Sequence, residues 1–449
     1  MLVPTGVATS KSGLDAIDHV VVLMLENRSF DHMLGYLYHD TGNTSPLGHS
    51  FEGLTGKEAC PGSDGAAVPV RPITPTTPNL YFLPGADPGE GYAATNNQLY
   101  GSRAAPAAGA AASMTGFVTD YAAAIAQNKA RGWYVVPGTT EDMVMACHTP
   151  ATLPVLNGLA RGFAVCDHWY CSAPTMTMPN RAFACAGTSQ GSLDDKTKAF
   201  TVPSIFGLLG KHNVSWRIYG DTSRPLTKLD FPDTINAPQA NTGLFTDFQA
   251  DAAAGKLPAY AFLEPAWSST GNSQHPNYDV ARGEQLILDV YHAVRGGPAW
   301  NSTLLIITYD EHGGCYDHVP PPWGATPPDS SAGEFGFDFT RFGPRVPTVL
   351  VSPLIKAGTV FRAPGGVPLD HTSILATVQH RWSLPALTRR DAAAPDVGDV
   401  LTLTSPRKDD PLAGVTAPAA SAIPPALAAQ PSHLQQVHEG LLAEARLSV

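Results

Sequence analysis

Two short polar clusters follow apolar runs at distant points of the chain. HVVVLML, residues 19–25, stops at Glu26-Asn27, and STLLIITY, residues 302–309, runs into Asp310-Glu311-His312-Gly313-Gly314. In open α/β sheets, ligands gather outside the carboxyl ends of the strands, so two such ends can bring Glu26, Asn27, Asp310 and Glu311 together. Three of these four oxygen donors can be anionic and would repel one another unless a cation sat among them, which makes all four candidate metal ligands. The plainer alternative is that Asn27 or Ser29 caps a helix and Asp310-Glu311 turns a corner. Two such motifs in one chain weaken that alternative.

A third cluster, Ala173-Pro174-Thr175-Met176-Thr177-Met178-Pro179-Asn180-Arg181, lies between them. Pro179 suits the first position of a helix, which sets Thr177 beside the cap with its hydroxyl at the positive end of the dipole, a ready phosphate site. A hydroxyl held there and bound to a metal ionises more easily and can attack phosphorus. A threonine that only caps the helix is the commoner case for an isolated TxP, so its company is what favours chemistry.

These clusters need a scaffold. Apolar runs at 20–25, 163–166, 214–219, 260–263, 303–308 and 348–351 read as buried strands. Helical patterns alternate with them. One spans 280–294, with Leu286, Ile287, Val290, Tyr291 and Val294 on one stripe; another follows Asp370-His371-Thr372, with Ile374, Leu375 and Val378. The alternation predicts an α/β fold, a mostly parallel sheet with helices on both faces. With 42 Gly and 41 Pro, long loops must interrupt it, and residues 104–112 form one small-residue loop. The expected organisation is a catalytic domain over 1–410, an Ala/Pro-rich linker over 411–430, and a final helix within 431–449 that docks through Leu434, Val437, Leu441 and Leu442.

Composition excludes other classes. Against 28 Lys and Arg stand 39 Asp and Glu, a net charge of −11 that argues against nucleic acid as a partner. No apolar run approaches the ~18 residues of a transmembrane helix. The opening MLVPTGVATSKSG has neither the basic start nor the apolar stretch of a secretion signal. Cys60, Cys147, Cys166, Cys171, Cys185 and Cys315 lack paired CxxC spacing and suit buried thiols.

ENRSFDH, TMPNR, HPNYDVARGE and TYDEHGGCYDHVPPP, in this order and at these separations, resemble the phosphoesterase family of non-specific phospholipases C and metal-dependent acid phosphatases of the acid phosphatase A type, whose fold is related to alkaline phosphatase. The resemblance runs from about residue 18 to 390 and includes Asp370-His371-Thr372-Ser373. It implies a metal held by Glu26, Asn27, Asp310, Glu311 and the nucleophile Thr177, the threonine two residues before the proline of PNR. His275 matches an active-site histidine suited to phosphate binding or proton transfer. One position departs from the pattern: where relatives often read Asp-Pro-Gly-His, this chain reads Asp87-Pro88-Gly89-Glu90. Glu90 with a raised pKa then becomes the expected proton donor, with His318 or His371 as substitutes, and Asn27, His318 and His371 are candidates for substrate contact. No adjacent histidine pair occurs over 223–250, so the pocket of the acid phosphatases that use one is not carried over.

The resemblance implies one divalent ion. Hard ligands favour Ca²⁺, Mg²⁺ or Mn²⁺, and a five-ligand set with an alkoxide also accepts Zn²⁺. It implies phospholipase C-type cleavage of a phosphatidylcholine-like diester through a phosphothreonine, with a lipid headgroup at a membrane surface as the partner. The alternatives are a phosphatase of small monoesters and a non-catalytic phosphate- or lipid-binding relative. By resemblance the compartment is secreted or periplasmic.

Overall fold

The computed structural model describes residues 13–447, so the chain start read above lies, but for Gly13, outside the described residues. Eight strands build the main sheet: β1 His19–Leu25, β2 Ala164–Val165, β3 Trp216–Gly220, β4 Thr242–Leu244, β5 Tyr260–Leu263, β6 Thr303–Tyr309, β7 Thr348–Val351 and β8 Thr359–Val360. Their order is β8-β2-β7-β6-β1-β5-β3-β4. β1 and β6 are buried along nearly their whole length, the pattern of central parallel strands covered on both sides. The short strands β4 and β8 carry too little periodicity to be read from sequence.

The sheet is parallel except around β7, which runs antiparallel to both β6 and β2. Parallel pairing requires a crossover that returns the chain to the opposite end of the sheet. Residues 310–347 contain no such helix; the segment stays at the end where β6 finishes, and β7 re-enters from there.

Side-chain alternation shows helices on both faces. Phe206, from the helix Ile205–Lys211, packs on Trp216, Tyr260 and Phe262. Arg181, from the helix Thr177–Ala186, lies over Phe262 on that same face. Phe248, from the helix Phe245–Ala253, meets Tyr219, which points the other way. The long helix Val280–Gly296 packs beside Phe245–Ala253, with Asp279 capping its start through the amide of Ala281.

Residues 411–430, expected as a linker, lie against the domain as a strap. Leu412 and Leu427 are buried, and the Ser421 amide donates to Asp279 at 2.6 Å. Apolar side chains among the Ala and Pro residues account for the docking. The strap leads into the helix His433–Leu447, whose Leu434, Val437 and Leu441 pack with Met178, Leu226, Leu229 and Trp267. All six cysteines are buried free thiols. Among the described residues no helix is long and apolar enough to cross a membrane.

Candidate active site

β1 and β6 pair in register, Leu25 opposite Tyr309, so Glu26 and Asp310 leave adjacent strands at the same level. Beyond this point the two loops interlock. The Asn27 amide donates to Asp310 Oδ1 at 2.9 Å, and the Glu311 amide donates to the same oxygen at 2.8 Å. Asn27 is left-handed, φ 56°, a conformation asparagine tolerates better than most residues. Gly313 packs against it so closely that an added Cβ would lie 2.1 Å from the Asn27 carbonyl oxygen, and one on Gly314 would lie 2.5 Å from that of Gly89. Both glycines have positive φ. The Gly-Gly of the second motif thereby joins the Asn27 turn to the Asp87–Glu90 loop.

Thr177 is the first residue of the helix Thr177–Ala186, which starts two residues earlier than Pro179 suggested. The whole first turn has amides without intrahelical acceptors, so proline fits at its third position as well. Thr177 makes no capping bond; its Oγ1 donates to Asn27 Oδ1 at 2.9 Å. The capping alternative fails here and succeeds at Ser29, whose hydroxyl accepts from the His32 amide at 3.2 Å at the start of the helix Phe30–Leu34.

The carboxylates around this bond are strongly perturbed. Burial, then repulsion from Asp310, pushes Glu26 and Glu311 well above the usual carboxylate range. Asp310 rises to about 6 by burial, opposed by Arg181, whose Nη1 stands 3.3 Å from Asp310 Oδ2. Glu26 Oε2 and Glu311 Oε1 are buried without a hydrogen-bond partner. Mutually repelling acceptors of this kind suit a hard divalent ion: Glu26, Asn27, Asp310, Glu311 and Thr177 provide oxygen donors, two of them without another partner, although Glu26, Asp310 and Glu311 are not among the groups of described residues whose ligand atoms all lie within 4.8 Å of one another.

Asn27 also links this cluster to a second. Its Nδ2 donates to Glu90 Oε2, and Glu90, Asp87 and His275 place one ligand atom each within 4.8 Å of one another. His275 Nε2 lies 3.6 Å from Asp87 Oδ1 and 3.9 Å from Glu90 Oε2. Burial raises Asp87 to about 7, lowers His275 to about 3, and with Asp87 raises Glu90 well above its usual value. A cavity of about 390 Å³ opens on Asp87 and His275 and is walled by Trp133, Tyr134, Tyr278 and His433.

The two other histidines have partners of their own. Trp169 Nε1 donates to His371 Nδ1 at 3.4 Å, so Nε2 carries the proton and donates to the Asp310 carbonyl at 2.5 Å. With both nitrogens engaged, His371 supports the Asp310 turn and has none left for substrate. His318 Nδ1 lies 2.6 Å from Asp31 Oδ2; Arg345 donates to Asp31 at 2.9 Å and to Asp317 at 3.0 Å. Asp31, Asp317 and His318 also sit close enough for a metal, but Arg345 supplies the positive charge, and the group is a clamp joining two motif loops. His318 is held there through Nδ1.

The Phosphoesterase family model matches residues 17–385. The chain belongs to that family. It is a phosphoric ester hydrolase, similar to plant and bacterial relatives. Over 425 residues it is 36% identical to non-specific phospholipase C6 of Arabidopsis thaliana, covering 88% of this chain and 74% of that one. Over 450 residues it is 28% identical to phospholipase C A of Mycobacterium tuberculosis, covering 88% and 78%. A solved alkaline phosphatase superfamily protein from Vibrio parahaemolyticus aligns over 55% of this chain and 65% of its own, at 12% identity and a TM-score of 0.32.

Sequence reasoning missed several residues that set this phosphoesterase's site. Arg28 donates to the carbonyls of Gln274 at 2.6 Å, Leu83 at 2.8 Å and His275 at 3.1 Å, tying the first motif to both loops of the second cluster. Asp195 accepts the Met178 amide at 2.7 Å beside the Thr177 helix start and pairs with His433 at 3.1 Å. His312 stands 3.1 Å from Glu311 Oε2. Arg28 and His312 lie inside motifs, where adjacency was a signal; nothing local singles out Asp195.

Proposed function

We propose that this enzyme cleaves phosphodiesters in the phospholipase C manner, with Thr177 as nucleophile. The carrying observation is the Thr177 hydroxyl, which makes no capping bond and is aimed by its bond to Asn27 Oδ1. A divalent ion held by Glu26, Asn27, Asp310, Glu311 and Thr177 would ease loss of the hydroxyl proton and balance charge on the phosphoryl oxygens. Thr177 Oγ1 attacks phosphorus, its proton passes to the surrounding carboxylates, and the bond to the leaving alcohol breaks. That oxygen takes up a proton from solvent through the cavity that opens on Asp87 and His275. Water then attacks the phosphothreonine, freeing the phosphomonoester and restoring the hydroxyl.

The cavity favours a diester over a small monoester. Its volume of about 390 Å³ and the faces of Trp133, Tyr134 and Tyr278 accommodate an organic group on the far side of phosphorus. The net charge of −11 favours a zwitterionic surface such as phosphatidylcholine over an anionic one. The relatives' names, non-specific phospholipase C and phospholipase C, agree with this reading. The test compares p-nitrophenyl phosphorylcholine with p-nitrophenyl phosphate and follows diacylglycerol and phosphorylcholine released from phosphatidylcholine vesicles. Faster turnover of the monoester, with intact vesicles, would make the enzyme a phosphatase; no turnover of either would make it a binding protein.

A further inference from the structure

We propose that Asp87, Glu90 and His275 form a second divalent-cation site, distinct from the all-oxygen set at Glu26, Asn27, Thr177, Asp310 and Glu311. The argument starts from the histidine tautomer. His275 Nδ1 lies 2.8 Å from the Pro276 carbonyl, an acceptor only, so Nδ1 carries the proton. Nε2 is left with a bare lone pair. It makes no hydrogen bond, and it faces Asp87 Oδ1 at 3.6 Å and Glu90 Oε2 at 3.9 Å.

A bare ring nitrogen therefore faces two carboxyl oxygens, of which Glu90 Oε2 already accepts from Asn27 Nδ2 and Asp87 Oδ1 does not have a donor. His275 is 4% exposed, and Asp87 Oδ1 is buried without a partner. No lysine or arginine pairs with Asp87 or Glu90 among the ion pairs of the described residues. This distinguishes the trio from the Asp31–Asp317–His318 clamp, where Arg345 already supplies the charge. Ligand atoms at about 2.1 Å from a tetrahedral ion are about 3.4 Å apart, so 3.6 and 3.9 Å need only a slight contraction. One imidazole and two carboxylates favour a transition ion, Zn²⁺ first and Mn²⁺ next, over Ca²⁺. Three protein ligands leave a position open, and the cavity opens on two of them, Asp87 and His275. The site depends on Glu90, because a second carboxylate supplies the negative charge that holds a divalent ion.

The only nitrogen among the eight proposed ligands of the two sites is His275 Nε2, and this gives a test without substrate. The full chain is stripped with chelator and reloaded with Zn²⁺ for elemental analysis, or with Mn²⁺ for pulsed electron paramagnetic resonance. The expected result is two Zn²⁺ per chain and a ¹⁴N coupling on bound Mn²⁺. Asp87→Asn/His275→Gln should retain one Zn²⁺ and lose the coupling; Glu311→Gln should weaken the other site and keep the coupling. The coupling in the unaltered protein needs no variant to fold. One ion without nitrogen coupling, or two ions retained by Asp87→Asn/His275→Gln, would overturn the proposal. One ion with nitrogen coupling would uphold this site and remove the all-oxygen set instead, which separates failure of this inference from failure of the reading above.

Discussion

Replacing Thr177 separates nucleophilic chemistry from structural support most sharply. Thr177→Ala removes the bond from Oγ1 to Asn27 Oδ1, 2.9 Å long, and one buried methyl. The bond contributes about 1 kcal/mol, and leaving Asn27 Oδ1 short of a donor adds about 1 kcal/mol more. The methyl contributes less than about 1 kcal/mol. The sum, about 2–3 kcal/mol, is a fraction of the ~5–15 kcal/mol of a folded domain, so the variant should fold and melt a few degrees lower. If Thr177 is the nucleophile, its loss should cost about 10⁴-fold or more in kcat, at least about 5.5 kcal/mol of barrier. Thr177→Ser keeps the oxygen and should stay within about tenfold of the parent. The assay is steady-state hydrolysis of p-nitrophenyl phosphorylcholine, with thermal unfolding on the same samples and acid-quench mass spectrometry for a phosphorylated peptide. A Thr177→Ala rate within tenfold of the parent, or a phosphoryl group trapped elsewhere, would refute the reasoning.

Gly313→Ala should abolish most activity while the sheet survives, because the new Cβ would stand 2.1 Å from the Asn27 carbonyl oxygen and displace that turn; near-parental turnover would contradict the contact. Arg345→Met leaves Asp31 and Asp317 without their cation and should lower unfolding free energy by about 3–5 kcal/mol in denaturant titrations, against under 1 kcal/mol if the clamp were incidental. Despite burial, the Asp31 carboxylate lifts His318 above its usual 6.5. The proton bound in the folded state then stabilises it fully below about pH 6.5, and this contribution fades as pH rises through the raised value. Stability should therefore fall more between pH 6 and 9 in the parent than in His318→Gln; parallel profiles would remove the linkage. Val437→Asp puts a charge into the cluster around Met178 and Trp267 and should detach the C-terminal helix, seen as protease cleavage near residue 430 at concentrations that leave the parent intact.

The motif residues were legible because each stands where a period breaks. Six apolar residues ending in Glu26-Asn27, and another run ending in Asp310-Glu311, mark strand ends whatever the topology, and the open-sheet rule places ligands there. The net charge and the absence of a membrane-length apolar run are properties of the list of residues and require no fold. What the list could not give is adjacency across hundreds of residues. That β1 lies beside β6 with Leu25 opposite Tyr309 is a matter of register, fixed by packing across the whole sheet. β7 turned antiparallel because the preceding loop has no crossover, a feature that an apolar run does not encode. Histidines were the least legible. His318 and His371 read like His275 in sequence, and only the partners of each ring nitrogen separate them: Asp31 for one, Trp169 and the Asp310 carbonyl for another, and for His275 a lone pair facing two carboxylates. A histidine's use is set by the hydrogen bond at its other nitrogen, and that partner comes from wherever the tertiary fold brings a segment close.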